Sequence, residues 1–169
     1  LRGSVGGVNR KFDSEVMMFQ IGAKADATEA ESITEIIHRE FNIQRGYAAM
    51  PWVAALEEDL EAEGRYEAFK EASEEQRGEP WEEVRTRAAF LRPHVKQALA
   101  ACTPAFDEED AEQAIEDVEE GVLINATTLT EKILDHVERK EEETGNDHRY
   151  FVFIDEISQF IGDDGQLLL

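Results

Sequence analysis

The chain has 169 residues with 39 acidic and 17 basic side chains, which gives a formal net charge of −22. A charge of this size repels a phosphate backbone, so we expect no direct nucleic-acid contact from this chain. No stretch approaches the roughly 18 consecutive apolar residues of a membrane-spanning helix, and the single cysteine, Cys102, cannot form an intramolecular disulfide. These features favour a protein of the reducing cytoplasm, with no membrane partner and enough residues for one hydrophobic core.

The acidic residues are spread along the whole chain instead of being gathered in one tail. Such a surface is typical of proteins from a salt-loaded cytoplasm, where a Debye length of about 3 Å at 1 M screens the repulsion between like charges. We therefore expect the protein to come from a halophile. An ordinary solvated acidic surface is the alternative.

The first 14 residues include several glycines and are expected to form a leading loop. They lack the spacing Gly-x-x-x-x-Gly-Lys-Ser/Thr of a phosphate-binding loop. An unbroken apolar segment follows and ends at Gly22, which predicts a buried strand over residues 15–22.

Residues 28–143 carry apolar side chains at helical spacing and predict a long, mostly helical region. Thr28 followed by Glu31 is typical of a capping box, which would open the first helix. Pro51 suits the first position of a second helix, which ends at Gly64. Further helices are expected over residues 66–78, from Trp81, after Pro93, over 108–119 and over 130–140.

The aromatic residues of this region are predicted to pack in the core or between helices. A base-stacking surface needs a basic surround for its aromatic rings, whereas acidic side chains outnumber basic ones in the segment that carries Trp52, Tyr66, Phe69, Trp81 and Phe90. Cys102 lies on an apolar helix face, which is typical of a small core residue and not of a nucleophile. The four histidines show no ligand-like spacing and predict no metal site.

The segment from Arg149 onward is an apolar run that stops at two adjacent carboxylates, Asp155 and Glu156. Its aromatic and β-branched residues, after a Gly-Asn-Asp turn, predict a strand buried on both faces of a parallel sheet. The acids would then lie at the carboxyl edge of the sheet, where open α/β folds bind their ligands. A buried strand that leaves the core through a charged turn is the alternative.

Two adjacent acids in this position suit nucleotide hydrolysis with a magnesium ion. Asp155 would hold Mg²⁺ through its water shell, and Glu156 would orient and deprotonate the attacking water as the catalytic base. Ser158 and Gln159 follow closely and are candidate groups around the acids or sensors of the γ-phosphate.

Five segments carry a family resemblance: residues 19–26, 52–60, 64–70, 80–85 and 151–163. Together, in the same order, they resemble the large P-loop ATPase of the BREX bacteriophage-exclusion systems, the BrxC/PglY family. Residues 151–163, FVFIDEISQFIGD, resemble its Walker B block. The resemblance implies ATP and Mg²⁺ as cofactors, a role in phage defence, and other components of the BREX system as partners.

A phosphate-binding loop is the element of that family that these 169 residues lack. The family would place the loop before residue 1, so we expect the chain to be an internal piece of a longer ATPase and to be inactive by itself. A non-enzymatic acidic helical interaction module, or an inactive ATPase remnant, is the alternative. A metal site built by the acidic runs is disfavoured, because it has neither His ligands nor EF-hand spacing.

The sequence therefore predicts an α/β fold, a partial P-loop NTPase core of two parallel strands with a large, predominantly helical insertion. The insertion covers residues 28–143, and the Walker B strand with its following turn covers 149–169, so that residues 15–169 form one partial ATPase domain. A right-handed crossover should join the two strands as neighbours. Because the phosphate-loop strand and later strands are missing, one sheet edge should be exposed.

Overall fold

The computed structural model describes residues 12–20 and 32–155. The chain divides into two compact units, residues 1–38 with 124–169 and residues 39–123. We call the first the sheet unit and the second the helical unit. The helical unit lies inside the region that the sequence predicts as a helical insertion, and it is shorter than that region at both ends.

The sheet unit contains two neighbouring parallel strands, β1 (Asp13–Gln20) and β2 (His148–Asp155). Their register pairs Asp13 with His148 at one end and Gln20 with Asp155 at the other. The prediction of two parallel strands separated by a long helical region is confirmed, whereas the P-loop core stays a prediction. β1 begins two residues before the expected bound, and residues 21 and 22 lie outside the described residues.

The two faces of this sheet differ in burial. Glu15 and Tyr150, neighbours in the register, both contact His136 of helix α7 (Ala126–Thr144), so α7 packs on their face. Alternation along the strands places Phe151 and Phe153 on the other face, where they are 38% and 51% exposed. The prediction that β2 is buried on both faces is wrong, because Phe151, Val152 and Phe153 are 38%, 38% and 51% exposed.

The helices of the described residues follow the sequence closely. They are α1 (Ile33–Gln44), α2 (Pro51–Ala62), α3 (Tyr66–Arg77), α4 (Trp81–Val84), a 3-10 turn (Arg85–Arg87), α5 (Arg92–Cys102), α6 (Glu108–Gly121) and α7 (Ala126–Thr144). Pro51 occupies the start of α2, as predicted, because its missing N–H is not needed there. Gly78 and Gly145 end α3 and α7 with φ of 69° and 71°, a left-handed conformation that suits glycine.

Helix α1 opens with a reciprocal pair of hydrogen bonds between Ser32 and Glu35. The backbone N–H of Glu35 donates to Ser32 Oγ over 3.2 Å, and the backbone N–H of Ser32 donates to Glu35 Oε2 over 2.7 Å. This pair forms a capping box at the end of the helix where N–H groups lack partners. The predicted box at Thr28 and Glu31 lies outside the described residues.

The helical unit has a continuous apolar core. Phe69 is fully buried and packs edge-on against Trp81, with ring centroids 4.8 Å apart and an interplanar angle of 82°. Trp52 is also buried, and Cys102 packs partly buried against this core, in agreement with the predictions. Phe90 is 90% exposed, so its predicted position in the core or between helices is wrong; it lies in the turn after the 3-10 segment, away from any apolar helix stripe.

None of the helices within residues 12–20 and 32–155 is both long enough and apolar enough to cross a membrane.

Candidate functional site

The candidate site is the carboxyl edge of the sheet, where Asp155 is the last residue of β2. β2 starts at a fixed point, because the N–H of Asp13 donates to the carbonyl of Asp147 over 2.8 Å and the side-chain amide of Asn146 donates to Asp13 Oδ2 over 3.1 Å. The parallel register then places Asp155 at the opposite end of the sheet, where it is paired with Gln20. The Asp155 carboxylate is exposed there.

Gln20 is the residue at this edge that the sequence did not predict as part of the site. It is the last residue of β1, exposed like Asp155, and by alternation it lies on the same face of the sheet. Paired residues of neighbouring parallel strands have side chains on the same face, so Gln20 and Asp155 share this end of the sheet. The available signal was positional, since Gln20 lies two residues before Gly22, where the first predicted strand ends.

The oxygen donors at this edge fit the chemistry of a magnesium ion. Mg²⁺ is usually held by one or two carboxylates, with water and substrate phosphates as the other ligands. Asp155 supplies one exposed carboxylate, and Gln20 supplies a neutral oxygen or an N–H donor for bound water. Among the described residues, no group of three or more His, Cys, Asp and Glu side chains is arranged to hold a metal ion. A dedicated all-protein metal cage is thus not formed by this part of the chain.

The other three predicted site residues, Glu156, Ser158 and Gln159, lie outside the described residues. Glu156 follows directly after Asp155 in the sequence. Of the four predicted site residues, the structure therefore describes Asp155, the predicted magnesium ligand. The role of Glu156 as the catalytic base stays a prediction.

A second polar cluster lies near the amino end of the sheet. His136 Nε2 is 2.9 Å from Glu15 Oε2, and His148 Nε2 is 3.6 Å from Glu15 Oε1. Arg139 approaches His136 Nδ1 at 3.3 Å as the donor of that hydrogen bond. Since Nδ1 accepts from Arg139, the ring proton is assigned to Nε2, which donates it to Glu15.

This histidine cluster is far from Asp155, and its two histidines are buried. Eight strand residues at a rise of about 3.3 Å place His148 roughly 23 Å from Asp155. The side chains of His136 and His148 are only 4% and 5% exposed. The cluster joins β1, β2 and α7, and its distance and burial exclude direct participation in chemistry at the carboxyl edge.

The helical unit contains one fully buried carboxylate, Glu57. Its Oε1 accepts hydrogen bonds from Tyr66 Oη at 2.9 Å and from the Trp81 indole N–H at 2.7 Å. Arg85 donates to the same oxygen over 3.0 Å, and the backbone N–H of Ala48 donates to Oε2 over 2.6 Å. With both oxygens satisfied by four donors, Glu57 organises the packing of the unit and has no contact left for a substrate.

Two tyrosines of the helical unit are held in their protonated form. Burial, and then a hydrogen bond with Glu61, raises the pKa of Tyr47 to about 12. Burial, and then the charge of Glu57, raises the pKa of Tyr66 still further. Both phenols therefore act as hydrogen-bond donors near neutral pH, and neither is suited to remove a proton from a substrate.

An open cleft of about 380 Å³ lies between α2 and α6 of the helical unit. Its lining combines small apolar residues with two acids: Ala55, Asp59, Asp117, Val118, Gly121 and Val122. Asp59 and Asp117 are exposed at its rim. This lining contains no histidine, cysteine or basic side chain, so the cleft is not arranged to bind a triphosphate.

No protein-family model matches the chain, and no solved structure is significantly similar to it.

Proposed function

We propose that this chain supplies the Walker B segment of a cytoplasmic P-loop ATPase of the BREX type, which acts in bacteriophage defence together with other components of that system. The observation that carries the proposal is the exposed Asp155 carboxylate at the carboxyl end of a parallel strand. Ligands of open α/β sheets bind at this edge. The family resemblance of residues 151–163 supplies the specific chemistry.

In this proposal, each polar group at the edge has one role. Asp155 holds the water shell of Mg²⁺, and Gln20 orients a bound water through its amide. Glu156 takes the proton of the attacking water. Bound Mg²⁺ would neutralise charge on the phosphates of ATP. Ser158 and Gln159 contact the γ-phosphate or the groups that hold it.

The reading frame upstream of Leu1 gives the first test. A Gly-Lys-Ser/Thr loop in that frame supports the ATPase, because the loop supplies the backbone donors and the lysine that hold the phosphates. A start codon near Leu1 without such a loop contradicts it. The 169-residue chain alone is expected to show no measurable ATP affinity by calorimetry.

Point variants of the protein that includes the loop test the two acids separately. We expect Glu156→Gln to keep ATP binding while turnover falls about a hundredfold or more, which is the usual effect of removing a positioned base. Asp155→Asn should also weaken magnesium-dependent binding. Asp147→Asn, an exposed acid at the opposite end of β2, is the matched control and should change neither. Near-normal turnover of Glu156→Gln would remove Glu156 from the role of base.

A non-enzymatic acidic interaction module is the second candidate. It is favoured by the helical unit, which has its own apolar core and a cleft with an acidic rim. This module would keep its partner binding in the Asp155→Asn and Glu156→Gln variants, whereas the ATPase would not keep its turnover. The same pair of variants therefore separates the two candidates.

A further inference from the structure

The face of the sheet opposite α7 carries an exposed apolar patch. Val16, Met18, Phe151 and Phe153 share this face and are 50%, 72%, 38% and 51% exposed. The two phenylalanine rings stack at a centroid distance of 6.4 Å and an interplanar angle of 24°. We call these four residues the open face. Parallel sheets are normally covered on both sides, so an apolar face of this kind is typical of a contact surface.

The dimensions of the open face match one helix. Two strands about 4.8 Å apart give a ribbon roughly 10 Å wide, which is the diameter of one α-helix with its side chains. The four half-exposed side chains present roughly 300 to 500 Å² of apolar surface. A stable dimer buries about 800 Å² on each partner, so a second copy resting on this face alone falls short.

Charges at the two ends of the open face determine the direction in which a bound helix would lie. Arg149, paired in register with Ser14, lies at the amino end, where its guanidinium is 4.3 Å from the Phe12 ring. Asp155 lies at the carboxyl end of the same face. A helix has a partial positive charge at its N-terminus and a partial negative charge at its C-terminus. It is therefore stabilised with its N-terminus near Asp155 and its C-terminus near Arg149.

We propose that the open face binds one amphipathic α-helix of a partner polypeptide, which runs antiparallel to β1 and β2. The helix presents three or four large apolar residues at positions i, i+3 or i+4, and i+7 to Met18, Phe151 and Phe153. The apolar contacts do not require Asp155 to bind a metal, so the interaction is tested in buffer without Mg²⁺ and independently of the proposed ATPase.

The probe for this proposal is a synthetic 18-residue peptide, acetylated and amidated, with leucines along one side of an alanine and glutamine helix. Titrated into the isotope-labelled chain, it should cause saturable NMR shift changes at Met18, Phe151 and Phe153. A nitroxide on the peptide N-terminus should broaden the Gln20 signals. A nitroxide on its C-terminus should broaden those of Ser14 and Arg149 instead.

Variants with matched exposure locate the binding surface. Met18→Glu should weaken peptide binding at least tenfold, and Phe153→Gln serves the same purpose should the first variant fold poorly. Leu134→Glu changes a residue of α7 that is 53% exposed and lies off the open face, so it should leave the affinity unchanged. Arg149→Glu should weaken binding by about twofold to fivefold, as expected for a charge at a helix terminus.

Besides a lack of saturable shift changes at Met18, Phe151 and Phe153, three results would overturn the proposal. The first is equal binding of a peptide with the same composition but scattered leucines. The second is the reversed broadening pattern of the two nitroxides. The third is a dimer in sedimentation equilibrium that Met18→Glu abolishes, because the open face would then be an interface between copies of this chain.

Discussion

The helical unit and the sheet unit place their apolar and polar side chains in opposite ways. In the helical unit, Phe69 and Trp81 are buried, and the one fully buried carboxylate, Glu57, is satisfied by donors on all sides. In the sheet unit, two buried histidines and a partly exposed glutamate lie on one face, while phenylalanines are exposed on the other. Helices that pack around one another complete a core by themselves, whereas a parallel sheet needs a layer on each side.

The largest expected effect is a difference in stability when one phenylalanine in each unit is replaced by alanine. Phe69→Ala should destabilise the helical unit by about 4 kcal/mol, since it leaves a cavity in a close-packed core. Phe153→Ala should cost less than about 1 kcal/mol, because the ring already contacts solvent over half its surface. Amide hydrogen exchange, followed separately in the two units, measures both changes. Equal losses would contradict the contrast between the units.

A smaller effect is expected at the buried carboxylate. Glu57→Gln preserves the shape of the side chain but turns one oxygen into an N–H donor, which then faces another donor. We expect a loss of about 3 kcal/mol from the opposed donors and from the lost negative charge beside Arg85, which keeps its hydrogen bond to the carbonyl of Gly46. Denaturant unfolding followed by the fluorescence of Trp52 and Trp81, both in the helical unit, measures the loss.

The control for that change is Glu120→Gln, an exposed glutamate on α6. It should shift stability by no more than about 0.5 kcal/mol. A similar loss in both variants would mean that net charge, and not the hydrogen bonds of Glu57, sets the stability of the helical unit.

The smallest effect concerns pH and the buried His94 of the helical unit. Burial, and then the charge of Arg77, lowers the pKa of His94 below the usual value of about 6.5. The unfolded chain therefore binds the proton more readily, so the stability contributed by neutral His94 is present above about pH 6.5 and is lost as the pH falls below it. Ser73 Oγ lies 3.0 Å from His94 Nε2 and fixes the ring.

Unfolding midpoints of the original protein and of His94→Gln, measured between pH 8 and pH 5.5, test this prediction. The variant should lose less stability than the original protein on acidification. Identical slopes would assign the pH dependence to the carboxylates alone.

The sequence predicted elements that depend on local signals. Pro51 and Gly78 mark the start and end of helices through their own backbone preferences, and both predictions are confirmed. Packing in the core or between helices is the prediction for Phe90 in preference to base stacking, yet a residue in a turn has no helical face to bury it. Burial of β2 was predicted from the parallel-sheet rule, which assumes a second covering layer.

The candidate site was predictable only in part, because some of its neighbours are brought together by contacts between distant segments of the chain. Asp155 follows an apolar run, so its place at a strand end is visible in the sequence. Gln20 becomes its neighbour only through the register of the two strands. The contact between His136 and Glu15 joins residues 121 positions apart, and no local spacing indicates it.

The long separation between β1 and β2 has a consequence for synthesis on the ribosome. The contact between Asp13 and Asn146 joins residues 133 positions apart. At about 5 to 20 residues per second, β1 leaves the ribosome roughly 7 to 27 seconds before its partner strand exists. Residues 39–123 are complete well within that interval. We therefore expect the helical unit to fold during translation, and β1, with its exposed Met18, to lack its partner strand β2 until residues 148–155 have been made.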